Sequence, residues 1–273
     1  MAKIQKNREA ETIPGISGNY RMTFDYHTHT TFSHGKGSIE DNVLAARERG
    51  LSAVAVTDHG PGHLTYGIKR DSVPVMRVEI ERLKRCYPDM GIYLGVEANT
   101  VNTENGLDVT RAEVEGLYDF VLAGYHYGVL RGYCLQNFLW AHTAGRGRYA
   151  EQAGGDGAQE RKKSKLLTKN TELVLRALYE NPIKILTHPG DKGPFDMEAL
   201  AKACGETGAW MEISTWHPHL TVDEIRIAAR RDVKFVVSSD AHTPNRVGSF
   251  AGGVQRALAA GLEIERIVNI ERV

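Results

Sequence analysis

The run Asp25-Tyr26-His27-Thr28-His29-Thr30-Thr31-Phe32-Ser33-His34 places three of the chain's eleven histidines within eight positions. Side chains alternate faces along an extended strand, so His27 and His29, two apart, point the same way and can grip one ion. Further imidazoles and carboxylates recur along the chain: Asp58 with His59, then Glu97, His126, His188, Glu212, and Asp240 with His242. A single histidine is ordinarily a surface or hydrogen-bonded residue. As a set, His27, His29, His34, His59, Glu97, His126, His188, Asp240 and His242 offer nine donors. That is too many for one tetrahedral ion and suits a cluster of two or three.

These groups sit at the ends of short apolar, β-branched runs, which the pattern predicts as seven strands over 21–27, 52–58, 91–97, 119–126, 182–188, 209–214 and 232–239. Stretches of helical period fill the gaps at 38–49, 72–86, 168–179, 196–204, 221–230 and 253–260. The first of these carries Ser38 as N-cap and Gly50 after its end. Alternating strands and helices predict a parallel α/β fold, and strand ends that each carry a polar group favour a closed barrel over an open sheet. In β/α barrels the active site is assembled at the C-terminal ends of several strands at once. Seven units where eight are usual predict a distorted, TIM-like barrel. One segment, 128–169, shows no clear strand; it holds Gly145-Arg146-Gly147-Arg148, Gly154-Gly155-Asp156-Gly157 and the basic run Arg161-Lys162-Lys163-Ser164-Lys165. A loop of that length is functional or disordered, and its place after the strand ending in His126 predicts a lid over the barrel mouth.

The combination His27-x-His29 with His34, Thr57-Asp58-His59-Gly60, Gly95-Val96-Glu97-Ala98, Ala123-Gly124-Tyr125-His126, Thr187-His188-Pro189-Gly190 and Ser239-Asp240-Ala241-His242 resembles the PHP (polymerase and histidinol phosphatase) family. The resemblance runs from about Phe24 to Val247. It implies a distorted seven-stranded (β/α)7 barrel with a trinuclear metal site, all nine ligand positions being matched. By that resemblance one ion takes His27, His29 and Asp240 with Glu97 bridging, a second takes Glu97, His126 and His188, and a third takes His34, His59 and His242. Zinc, manganese and iron are all associated with the family, and imidazole with carboxylate does not choose among them. The chain then divides into an N-terminal extension, 1–22, and a barrel domain, 23–273, with the insertion or lid at about 128–169. Both additions bear on the substrate and neither removes a ligand.

Clustered divalent ions favour phosphoester hydrolysis: they acidify a bound water and draw charge from the phosphoryl and leaving oxygens. The expected reaction is direct attack of a metal-bound hydroxide on a small phosphomonoester, making the chain a phosphoric monoester hydrolase. Histidinol phosphate is one named candidate, since part of the family turns it over. Glu97 and Asp240 belong to the expected catalytic set, and Arg246, four residues past His242, is a candidate phosphate clamp. His217 and His219, in Trp216-His217-Pro218-His219, are candidates for general acid or substrate contact, and His63 is a candidate substrate contact. Asp58 is expected to orient a ligand by accepting an imidazole N–H. His142 is not expected to be a ligand, and Arg146, Arg148 and the lysines near 162 read first as a solvated basic face.

Lysine plus arginine equals aspartate plus glutamate at 34 each, so no global charge draws the chain to nucleic acid or an acidic membrane. This weighs against the alternative of a PHP-type nuclease acting on nucleic-acid ends, as does the lack of a basic stripe interleaved with aromatics. An amidohydrolase would bridge its metals with a lysine, and the strand ends offer none; a dead binding module would have lost ligands. The three cysteines, Cys86, Cys134 and Cys204, are scattered and fit a reducing cytosol. No secretory h-region and no membrane-length apolar run is visible. The expectation is a cytoplasmic enzyme with a small phosphorylated substrate, three divalent ions, no membrane and no nucleic-acid partner.

Overall fold

Seven apolar runs pair side by side, in sequence order, as one parallel sheet: β3 (Phe24–Asp25), β4 (Ala53–Val56), β5 (Gly91–Asn99), β6 (Phe120–Gly124), β7 (Ile183–Leu186), β8 (Trp210–Ser214) and β9 (Phe235–Ser238). The structure, a computed structural model, describes residues 11–12, 19–143 and 157–273. Parallel strands packed on both faces read as continuous apolar runs, and Ala-Val-Ala-Val of β4 is buried at every position. The sheet curls until its first and last strands meet, with Thr28 bridging Ala241 in parallel and His29 N donating to Ala241 O at 2.8 Å. The expected seven-stranded α/β barrel is the fold observed.

Helices cover the outside: α1 (Ile39–Glu48), α2 (Val73–Cys86), α3 (Arg111–Gly116), α4 (Cys134–Thr143), α5 (Gly157–Glu180), α6 (Met197–Thr207), α7 (Val222–Ala228) and α8 (Ala251–Ala259). Ser38, Thr110 and Thr221 each close a capping box with the acidic residue three positions on, which satisfies two otherwise orphaned backbone donors per helix. Gly208, at φ 78, ends α6 in the left-handed conformation that an L side chain disfavours.

Three features differ from the sequence expectation. The predicted first strand, 21–27, is split. Its first half belongs to β2 (Asn19–Met22), which lies between β1 (Glu11–Thr12) and β10 (Ile270–Arg272) in a small antiparallel sheet. Thr23 N, donating to Asn269 O, marks the crossing into the barrel. Second, the segment 128–169 carries α4 and the first half of α5; glycines at 145, 147, 154 and 155 interrupt the helical period and hide these helices from a periodicity reading. Third, α3 is a six-residue helix too short to show a period. Of the lid expected at about 128–169, residues 144–156, with Arg146 and Arg148, and the side chains of His142 and Lys162 lie outside the described residues.

The barrel interior is layered. Alternation along β5 turns Tyr93, Gly95 and Glu97 to one face. At the N-terminal end, Phe24, Tyr26, Tyr93, Phe120 and Trp210 pack against Leu122, Ile185 and Val236; Phe24 stacks on Tyr26 at 4.2 Å and Tyr26 lies 5.0 Å from Phe120. Above this aromatic floor stands the polar mouth; Gly95 lies against the floor beside Phe120, and Gly124 lies against the mouth beside Glu97 and His126.

Candidate metal centre

Glu97 stands at the centre of the mouth, fully buried, and imidazoles approach it from four strand ends. Its Oε2 lies 3.3 Å from His27 Nε2 and 3.0 Å from His59 Nδ1, and its Oε1 lies 3.3 Å from His126 Nε2 and 3.1 Å from His188 Nε2. Asp240 Oδ1 lies 3.1 Å from His29 Nε2 and 3.6 Å from His27 Nε2. On the outer side the His34 ring is 4.8 Å from His59 and 4.2 Å from His242, centroid to centroid. All nine residues of the sequence-derived set are therefore gathered in one cluster.

Among the described residues, four groups bring donor atoms within 4.8 Å of one another: His27, His29 and Glu97; His59, Glu97 and His126; His29, His59 and His242; and His188, His217 and Asp240. The resemblance places Glu97 between two ions, and here it belongs to two of the groups. It assigns His34 rather than His29 to the group with His59 and His242; His29 stacks 4.5 Å from His59 and 4.6 Å from His242, so it stands between the two sets.

His29, His34 and His126 are in the neutral state a cation requires; at His27 burial is outweighed by Glu212, Asp240 and Glu97, which push it well above its ordinary range, so a cation taking its Nε2 displaces a proton. Burial holds His29 and His126 neutral, with His29 well below its ordinary range and His126 pushed down to about 3; burial with the neighbouring His242 and His59 does the same to His34, at about 3. Glu97 and Asp240 are held well below the usual carboxylate range despite burial, Glu97 by its contacts with His126, His27 and His59 and Asp240 by His27 first. Nδ1 of His29, His34 and His59 and Oε2 of Glu97 are buried and make no hydrogen bond. An unpaired buried acceptor costs of order 1–3 kcal/mol, so several of them aimed at common points fit divalent cations. Two of the nine are also strained: His188 and Asp240 adopt φ of 26° and 48°, a left-handed conformation that costs about 1–3 kcal/mol for a residue with a Cβ.

The remaining candidates fall into place by contact. His217 bridges Asp191 and Asp240, with Nδ1 3.1 Å from Asp191 Oδ2 and Nε2 3.3 Å from Asp240 Oδ2, and it packs 4.6 Å from His188. Burial opposes its charge, but the two carboxylates push it up to about 9. Arg246 lies over the Trp216 ring at 4.8 Å, Trp216 stacks on His242 at 5.3 Å, and Arg246 Nε is buried without a hydrogen bond. His63 stacks on Tyr66 and lies 5.5 Å from His59. His219 turns instead to Glu224, with Nδ1 2.9 Å from Oε2. Asp58 does not take up the expected imidazole N–H. Its oxygens accept Thr30 N at 2.7 Å, Thr30 Oγ1 at 2.6 Å and Ser33 Oγ at 2.5 Å, so it braces the turn between His29 and His34.

Sequence reasoning named Glu212 only as a strand-end carboxylate and gave no role to Asp191, Asn99, Tyr66 or Trp216. Asn99 Oδ1 meets His126 Nδ1 at 2.8 Å and Glu212 Oε1 meets His27 Nδ1 at 2.6 Å. Glu212 had the same apolar-run signal as the nine; Asn99, Asp191 and Tyr66 stand two, three and seven residues past Glu97, His188 and His59, Trp216 stands four past Glu212, and none of the four is marked out until the chain folds.

Fold and site together define a metal-binding β/α-barrel protein. The PHP domain model matches residues 25–215, and the chain belongs to the PHP domain family. It is 26% identical to a protein of Shewanella halifaxensis named "Probable phosphatase", over 90% of this chain and 87% of that one. It is also 26% identical to a Thermoanaerobacter protein of the same description, over 92% and 91%. Among solved structures, the histidinol phosphate phosphatase of Lactococcus lactis, complexed with zinc, L-histidinol and phosphate, shares the fold with a TM-score of 0.55. Its sequence identity is 15%, over 89% of this chain and 95% of that one. Among the described residues, no helix is long and apolar enough to cross a membrane.

Proposed function

We propose that this protein is a metal-dependent phosphatase that hydrolyses a small phosphomonoester at a site of three divalent ions. The observation that carries the reading is the clustering of seven imidazoles with Glu97 and Asp240, beside a cation, Arg246, whose buried Nε makes no hydrogen bond among the described residues. The phosphatase names of the relatives and the histidinol and phosphate bound by the Lactococcus neighbour support the same reaction class and make histidinol phosphate one substrate to test.

His27, His29, Asp240 and Glu97 would hold one ion, Glu97, His126 and His188 a second, and His34, His59 and His242 a third, with zinc, manganese or iron as candidates. When bound, such ions lower the pKa of water and neutralise charge on phosphoryl oxygens. The chain's own residues do the rest. Arg246, held in place by stacking on Trp216, binds a phosphoryl oxygen through its guanidinium. His217, aimed at the cluster by Asp191, donates a proton from Nε2 to the departing alkoxide. His63 and Tyr66, stacked together beside His59, form the wall that faces the substrate's organic part.

The test is a panel of phosphorylated metabolites, histidinol phosphate included, turned over by protein loaded in turn with zinc, manganese and iron, with single-stranded DNA as a further arm. Turnover of monoesters that a chelator abolishes is the expected result. Shortening of DNA with no monoester turnover, or activity that survives complete metal removal, would overturn the proposal.

A further inference from the structure

Glu212 is the middle residue of β8, fully buried, with its two oxygens on different partners. Oε1 is 2.6 Å from His27 Nδ1, and Oε2 accepts the backbone N–H of His188 at 2.7 Å. We propose that Glu212 is the positioning residue that sets two groups of metal ligands at once, fixing the tautomer of His27 and the backbone of His188. It thereby governs how tightly the cluster holds its cations. The proposal rests on the reading of His27 and His188 as ligands.

The argument is one of donors and acceptors. With a carboxylate oxygen 2.6 Å from Nδ1, the proton that His27 keeps when a cation takes Nε2 sits on Nδ1, and Nε2 faces inward, 3.3 Å from Glu97 Oε2 and 3.2 Å from His29 Nε2. That is the tautomer a ligand needs, and a carboxylate behind an imidazole makes the ligand more basic. His126 and His242 instead place Nδ1 on neutral acceptors, Asn99 Oδ1 at 2.8 Å and Asp240 O at 2.9 Å. The charge-assisted contact therefore belongs to His27, whose Nε2 lies 3.3 Å from Glu97 and 3.6 Å from Asp240. The second oxygen acts on the backbone: His188 sits at φ 26°, and the bond from its N–H to Glu212 holds the chain where the ring meets Glu97 Oε1 at 3.1 Å.

The deciding variant is Glu212→Gln, which keeps the shape and breaks the pattern. One amide oxygen cannot accept from both His27 and His188, and the amide NH2 faces a donor on one side or the other. The experiment loads wild type and variant with zinc, dialyses both against graded chelator, and counts zinc per chain by mass spectrometry, with circular dichroism as the folding control. The expected result is a folded variant whose zinc affinity falls by about 10- to 100-fold. An unchanged zinc count and affinity would overturn the inference. Should the variant fail to fold, the 15N histidine spectrum of the zinc-loaded wild type decides: a proton on His27 Nδ1 supports the inference and a proton on Nε2 refutes it. A folded wild type that takes up no zinc, manganese or iron overturns the metal-dependent reading itself, and this inference with it.

Discussion

Gly124 is the residue that leaves room for the centre, and Gly124→Ala tests that directly. A Cβ at this position would stand 2.7 Å from Glu97 Oε1 and 2.8 Å from Thr187 Oγ1, and nearer still to His126 Cε1. Ordinary contact begins near 3.5 Å, so the carboxylate must retreat by roughly half an ångström or more. It cannot do so freely, because Oε1 also receives the Thr187 hydroxyl at 2.7 Å and faces His188 at 3.1 Å. Overpacking of this kind costs about 1–3 kcal/mol, or roughly 2–4 °C in Tm for each kcal/mol in a chain of this size. The functional loss is larger, since a ligand displaced by about 1 Å costs about 100-fold in rate. Thermal denaturation, metal content and turnover of p-nitrophenyl phosphate measured on one preparation separate the effects. An alanine variant with wild-type Tm, full metal content and full turnover would refute the layered account of the barrel interior.

Three other outcomes are expected. Arg246→Met removes a charged hydrogen bond worth about 1.5–3 kcal/mol and should lower kcat/KM by about 10- to 100-fold, mainly through KM; an unchanged KM in steady-state kinetics would exclude it as the phosphate clamp. His217→Gln should lower kcat by about 100-fold or more on alkyl phosphates and far less on p-nitrophenyl phosphate, whose leaving group needs no proton; equal losses on both would exclude proton donation. Glu224 is held below its ordinary range because bonds from His219 and Thr221 outweigh burial, so its stabilising effect is complete above pH 4.5 and fades as pH falls through the lowered value. Glu224→Gln should therefore cost about 1–2 kcal/mol at pH 7 and progressively less below pH 4.5 in urea titrations, with kcat unchanged.

The barrel and the nine-residue cluster were legible in the sequence because both follow from strand periodicity. An apolar run that ends in His or a carboxylate says where the strand stops and what stands at its mouth, as at Val56 to His59 or Leu186 to His188. What surrounds the cluster was not legible, because it depends on side-chain direction in loops. Asp58 sits next to His59 in sequence, yet its carboxylate turns to Thr30 and Ser33. His217 and His219 are two residues apart and part company, one to Asp191 and the cluster, the other to Glu224. Pairings such as Asp191 with His217 or Trp216 with Arg246 join separate loops, and no spacing rule in the chain announces them.

The layering also explains how the fold tolerates so much buried polarity. His27, His29, Glu97, Glu212 and Asp240 are all almost wholly shielded from water, and each uncompensated group costs folding free energy. The structure separates the two demands along the barrel axis. Tyr26, Tyr93, Phe120 and Trp210 fill the lower interior with large apolar area, which drives closure of the sheet without the centre. The mouth can then carry strained backbone at His188 and Asp240 and lone pairs without partners. On this account removing metal should loosen the mouth before the floor. Hydrogen exchange of zinc-loaded and chelator-treated protein would show the change at the amides of His188 and Asp240, with those of β4 and β9 protected in both states.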